Sequence, residues 1–231
     1  MRLIFFYFMT VLGISAFQTG ERAQDKQLTL DCYVRVLEQE GNILAEATML
    51  SLPPKGSETP ANSIVPIEIP GGIRYQGSPM NTRPNAGLTY TKQYPGSFVP
   101  EHIFSWDDSD KVRHNLTLKM NPVTAFSFGS KAVSLSQPAR LTWEGGPSER
   151  GEVFVLMWEN IKDHQTVPME VIVQGQLPQI DFPVGKLKEL TPGEWSLYIV
   201  RKKLVKEQTG GISAKAVLEF YSKTQPLTLT Q

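Results

Sequence analysis

The chain has 231 residues, with 23 basic and 23 acidic side chains, a 40% apolar fraction and one cysteine. Zero net charge with no basic stripe excludes a nucleic-acid footprint, and the apolar content excludes global disorder. That length accommodates one large or two small domains of roughly 100–150 residues each, and a lone cysteine cannot close an intramolecular disulfide.

Residues 1–17, MRLIFFYFMTVLGISAF, carry Arg2, an apolar stretch over 3–14, then small residues at Gly13, Ser15 and Ala16. Charge, apolar run and small-residue exit are the three parts of a secretory leader. A membrane anchor needs about 20 apolar residues, and the polar run 18–27 ends this one early. Residues 1–20 are therefore expected to be removed, leaving a secreted or periplasmic protein that does not stay on the membrane.

The first strand is expected over 28–37, with Leu28, Leu30, Cys32, Val34 and Val36 on one face. Cys32 sits in that strand as a small hydrophobe; the residues before it, Thr29, Leu30 and Asp31, do not suit a lipid-modified cysteine. A turn at Glu40, Gly41 and Asn42 leads into a second strand over 43–50, making a hairpin. Residues 51–63 read as a loop, 64–69 as a short strand placed at a sheet edge by Pro66, and 70–85 as an irregular Gly- and Pro-rich excursion. Strands follow at 88–94, 102–106, 112–120 and 123–128. A boundary near 129–131 divides a β-rich N-terminal domain, 21–129, from a second domain, 130–231. In the second half, strands are expected at 133–135, 139–143, 152–158, 169–173, 179–182, 194–203 and 214–221, with turn chemistry at Gly145–Gly146–Pro147, Pro192–Gly193 and Gly210–Gly211. No run of ten or more residues shows helical apolar spacing. The fold class is all-β, with two antiparallel β-sandwich domains.

Two segments of the second half carry a resemblance. ARLTWEGG over 139–146 ends a strand in Trp143 beside a Pro-containing turn; LKELTPGEWSLYIV over 187–200 places Leu187 and Leu190 before a Pro-Gly corner and Trp195, Leu197 and Ile199 on one face after it. The pairing, across about ninety residues, resembles the fibronectin type III pattern within the immunoglobulin-like sandwiches. That family usually has a Tyr at the corner whose hydroxyl bonds back to the backbone; here Trp195 stands there. The resemblance implies a domain that binds or spaces other domains.

Candidate chemistry is sparse. Asp107, Asp108 and Asp110 form an acidic cluster that suits a hard cation such as calcium, but they also sit where a hairpin turn between 103–106 and 112–120 would place them. The three histidines, His102, His114 and His164, lack metal-ligand spacing, although His102 and His114 flank one expected hairpin. Tyr90, Tyr94 and Trp106, within a wider aromatic group, would form a sugar-stacking platform if exposed together, and core if not. Asn115-Leu-Thr117 matches a glycosylation acceptor. No nucleophile elbow, P-loop or dinucleotide unit is present. The sequence thus reads as a non-catalytic binding or structural protein of the cell envelope or outside it, needing no cofactor, whose partner is an envelope protein or a glycan. A carbohydrate-binding protein using the N-terminal aromatics and a secreted hydrolase with a loop-borne site are the alternatives.

Overall fold

A computed structural model describes residues 27–53, 64–83, 88–173 and 177–231. The expected leader, 1–20, lies outside them. The described residues form an all-β fold of eighteen strands, and no helix among them is long and apolar enough to cross a membrane.

The first hairpin is β1 (Gln27–Leu37) and β2 (Asn42–Leu52), antiparallel in one continuous register with Gly41 at positive φ in its turn. The inward positions Leu30, Cys32, Val34 and Val36 are buried, as their spacing requires. A short β3 (Val65–Pro66) pairs with the end of β2 as an edge strand, where the missing N–H of proline is tolerated. The stretch expected to be irregular holds three short strands instead: β4 (Ile73–Tyr75), β5 (Ser78–Pro79) and β6 (Asn81–Arg83). Then come β7 (Thr89–Pro95), β8 (Glu101–Asp107) and β9 (Arg113–Lys119). A small sheet in the order β5-β4-β8-β9 packs on the large one, with Tyr75 5.1 Å from Phe104 and 6.3 Å from Tyr94 between ring centres.

In the second half, β10 (Ala125–Ser127), β12 (Ala139–Glu144) and β15 (Gln179–Phe182) make a three-stranded sheet. It faces β13 (Glu152–Asn160), where Trp143 packs 4.8 Å from Phe154. β14 (Thr166–Val171) borders β13, and β11 (Ala132–Ser134) borders β18 (Gln225–Thr230), a C-terminal strand absent from the expected set. Trp143 and Trp195 are both buried, at 4% and 0% exposure. The Trp195 indole N–H donates to the Thr191 carbonyl at 2.9 Å, so the corner closes with a bond back to the backbone four residues upstream.

The seventeen-residue β16 (Gly193–Thr209) and β17 (Ile212–Tyr221) join the halves. The first part of β16 pairs with β18 and its later part with β17, while β13 lies along its other edge. β17 then runs parallel to β1, from Thr29–Ser213 to Leu37–Tyr221. One eleven-stranded sheet therefore passes through the whole molecule, and a strand pair crosses the boundary expected at 129–130. Ala214, Ala216, Leu218 and Phe220 of β17 are buried, and Phe220 meets Phe98 edge-on at 5.1 Å. The tip of this hairpin is fitted closely: Gly210 has φ of +57°, and a Cβ there would lie 2.5 Å from the His114 ring on β9.

Where the sheet passes between halves, Arg201 is fully buried and donates to Glu152 Oε2 (3.0 and 2.6 Å) and to the carbonyls of Gly146 (3.3 Å) and Pro147 (2.6 Å). A Cβ on Gly145 would lie 2.1 Å from the Pro122 carbonyl oxygen, so this loop lies directly against the segment that leaves β9.

Candidate functional site

The inward face of the large sheet is core, and its outward face departs from the polar alternation usual for a solvent-facing sheet. Level by level, strand pairing sets Leu37, Tyr221, Val200 and Val155 in one row, and Leu44, Arg35, Glu219, Lys202 and Val153 in the next. Tyr198 and Met157 extend the first side, while Tyr33, Val217 and Leu204 extend the other. These side chains are partly exposed, apart from Val200 at 6% and Glu219 at 9%, with Leu204 open at 43%.

A polar knot sits at the centre of this apolar face. Tyr33 and Tyr221 hydroxyls donate to Glu219 Oε2 at 2.7 and 3.0 Å, and Lys202 Nζ lies 2.9 Å from Oε1. Burial pushes the Glu219 carboxyl up, but the bonds from Lys202 and the two tyrosines outweigh it and hold it below the ordinary carboxylate range. Burial first, then the Glu219 carboxylate, raises both phenols, Tyr221 to about 12. All three groups stay in their bonded, charged or neutral forms through the physiological range. To reach Glu219, Tyr221 must lie back along its own strand and Tyr33 must lean across to the next, which lays the rings along the sheet. Tyr198 stacks beside Tyr221 at 6.3 Å. Arg35, cross-strand from Glu219, makes no hydrogen bond or ion pair among the described residues, and its Nε is buried.

The sites expected from sequence lie elsewhere and are differently used. Tyr90 and Trp106 are each 1% exposed, so with only Tyr94 partly open the stacking platform does not form. Tyr90 instead accepts a hydrogen bond from the Ile69 N–H at 2.8 Å inside the core. Asp107 is taken by Arg113 (2.8 and 3.1 Å) and Arg74 (3.3 Å), which hold its carboxyl down at about 2. Asp108 turns the chain, accepting from the backbone N–H groups of Asp110 and Val112 at 2.9 Å each, and its other oxygen lies 2.7 Å from His114 Nε2. Asp110 points to solvent, and no group of three or more potential ligands converges among the described residues. The acidic cluster is a turn that orients His114 beneath the hairpin tip.

His102 and His114 do not meet across their hairpin, because the register pairs His102 with Leu118 and His114 with Trp106. His102 is fully buried, hydrogen-bonded at Nδ1 to the Tyr75 hydroxyl, with no partner for Nε2 among the described residues. Cys32 is also sealed in the core, and burial pushes its thiol well above the usual range.

No family model matches the chain, and no curated protein matches it. Among solved structures it is similar to the crystal structure of chicken CNTN1 FN1-FN3 domains, at 7% identity and a TM-score of 0.29, over 90% of this chain and 66% of that one. At that level of likeness the all-β fold rests on its own strand pairing.

Proposed function

We propose that this chain is a non-catalytic module, exported and freed of residues 1–20, that works in the cell envelope or outside it by docking a partner on the outward face of its large sheet. The observation that carries this reading is the face itself: three tyrosines, Met157 and four valines surround an Arg, Lys and Glu at the centre. Tyr, Met and Arg are the residues enriched at protein interfaces, and a contiguous apolar surface around a bonded Lys202–Glu219 pair, with Arg35 beside it left without a partner among the described residues, is the composition of a contact patch. The chemistry of the remaining ionisable groups supports a non-enzymic role. His102 and Cys32 are sealed, His114 is committed to Asp108 and the hairpin tip, and His164 pairs at the surface with Glu159 at 3.1 Å.

Placing a photo-crosslinking residue at Tyr198 in cells that make the protein tests this reading. A discrete protein adduct supports it, and the absence of any adduct removes it. Turnover of an ester, peptide or glycoside substrate by the purified protein would instead support a loop-borne hydrolytic site.

A further inference from the structure

The outward face has a size and a charge layout that specify what can cover it. It spans six adjacent strands, β2-β1-β17-β16-β13-β14, and four same-face positions along the central ones. With strands about 4.8 Å apart and same-face neighbours about 6.8 Å apart, that is on the order of 700 Å². A standard stable interface buries about 800 Å² per partner, so the face alone supplies most of one.

Three charges of this face have no ion pair among the described residues: Glu46 on β2, at its far rim beside Tyr33, and Arg35 and Glu170, which lie on opposite sides of β16. Arg35 on β1 has no ion pair or hydrogen bond among the described residues, and neither has Glu170, which is exposed on β14. β1 and β14 each lie two strands from β16, on opposite sides of it. A two-fold axis laid along β16 therefore sets β1 of one copy over β14 of the other. Strand pairing puts Arg35 level with Val153 and Glu170 level with Val155, one same-face step apart, about 7 Å. With stacked sheets about 10 Å apart, that step puts the two Cα atoms about 12 Å from each other; extended Arg and Glu side chains joined by a hydrogen bond span that distance, and the symmetry makes the pair twice, as an isologous contact requires. Between the two pairs, Tyr198, Val200, Val155 and Met157 of each copy would meet. The chain's zero net charge puts no long-range repulsion in the way.

We infer that the occupant of this face is a second copy of the same chain, packed sheet on sheet about an axis along β16, with Arg35 of each copy paired to Glu170 of the other. The inference rests on the reading of this face as a docking surface. Sheets stacked in this way keep their strands within about 30° of alignment, which a near-parallel axis allows.

Sedimentation equilibrium on the full chain tests it, using Arg35→Glu, Glu170→Arg and the double variant. A dimer is expected, weakened at least about tenfold by either single reversal and restored by the double, since a close charge pair couples its two members. Met157→Lys, which leaves both charges in place, is also expected to give monomer, and it keeps the test decisive if Arg35→Glu does not fold. A wild-type chain that is monomeric at about 100 μM overturns the inference, as does a dimer that the double reversal does not restore. The Tyr198 crosslink separates the two readings. An adduct to a different protein, with a monomeric chain, overturns self-docking and leaves the docking face; no adduct of any mass removes both.

Discussion

Among the groups through which acid is expected to destabilise this fold, the buried His102 is the one that acts between pH 7 and pH 4. The imidazole is fully buried between Tyr75 and Phe98, 5.5 Å from the Phe98 ring, and Phe98 in turn packs on Phe220 of β17. Burial, opposed in part by the backbone of Val99, lowers its pKa from 6.5 to about 4. The folded chain thus prefers the neutral ring. The stabilisation is complete above 6.5, the value in the unfolded chain, and is lost as pH falls from there to about 4. At about 1.4 kcal/mol per pH unit the difference amounts to roughly 3 kcal/mol, a large share of the about 5–15 kcal/mol that holds a domain. Urea denaturation at a series of pH values, on the wild type and on His102→Phe, reads this directly. The variant keeps an aromatic ring in the site and cannot titrate, so only the slopes need comparison. The wild type is expected to lose roughly 3 kcal/mol more than the variant between pH 7 and pH 4. Parallel curves would mean that His102 takes up its proton without disturbing the fold, and would refute the reasoning.

Trp195→Ala should cost about 3–5 kcal/mol, because the fully buried ring and its bond to Thr191 are both lost; near-normal melting would undo the corner. Gly210→Ala should cost about 1–3 kcal/mol, from its positive φ and the approach to His114. His114→Ala in the same chain should recover part of that loss, and strictly additive effects would deny the contact. Calcium should leave the melting temperature unchanged, since the carboxylates of Asp107 and Asp108 are occupied by protein donors. A site filled at a hundred times its dissociation constant would add about 2.7 kcal/mol, and such a rise, abolished by Asp108→Ala, would restore the metal reading.

Much of the fold is written locally. Period-two spacing marks the inner faces of β1, β2, β13 and β16, and the Pro-Gly corner marks where β16 begins. Strand partners are another matter: Tyr33 meets Glu219 across 186 residues, and no local pattern announces that β17 will lie parallel to β1. The short strands β4 to β6 were hidden because two or three residues between glycines and prolines carry no periodicity. The apolar outward face did have a signal. VFVLMW in β13 and WSLYIV in β16 are apolar at both parities, which means burial on both faces or one face awaiting cover. The aromatics misled for a related reason: spacing shows that Tyr90 and Tyr94 share a face and cannot show that the segment of Ile69 and Gly72, ahead of β4, closes over Tyr90.

The account depends on one sheet running through both halves, closed by β17 against β1, and native-state hydrogen exchange resolved by mass spectrometry tests this most directly. Peptides covering β1, β16 and β17 are expected to be the slowest in the molecule and to open together, with the free energy of global unfolding. Exchange of β1 well ahead of β16, while the second half stays protected, would show two halves that unfold separately and would contradict the shared sheet.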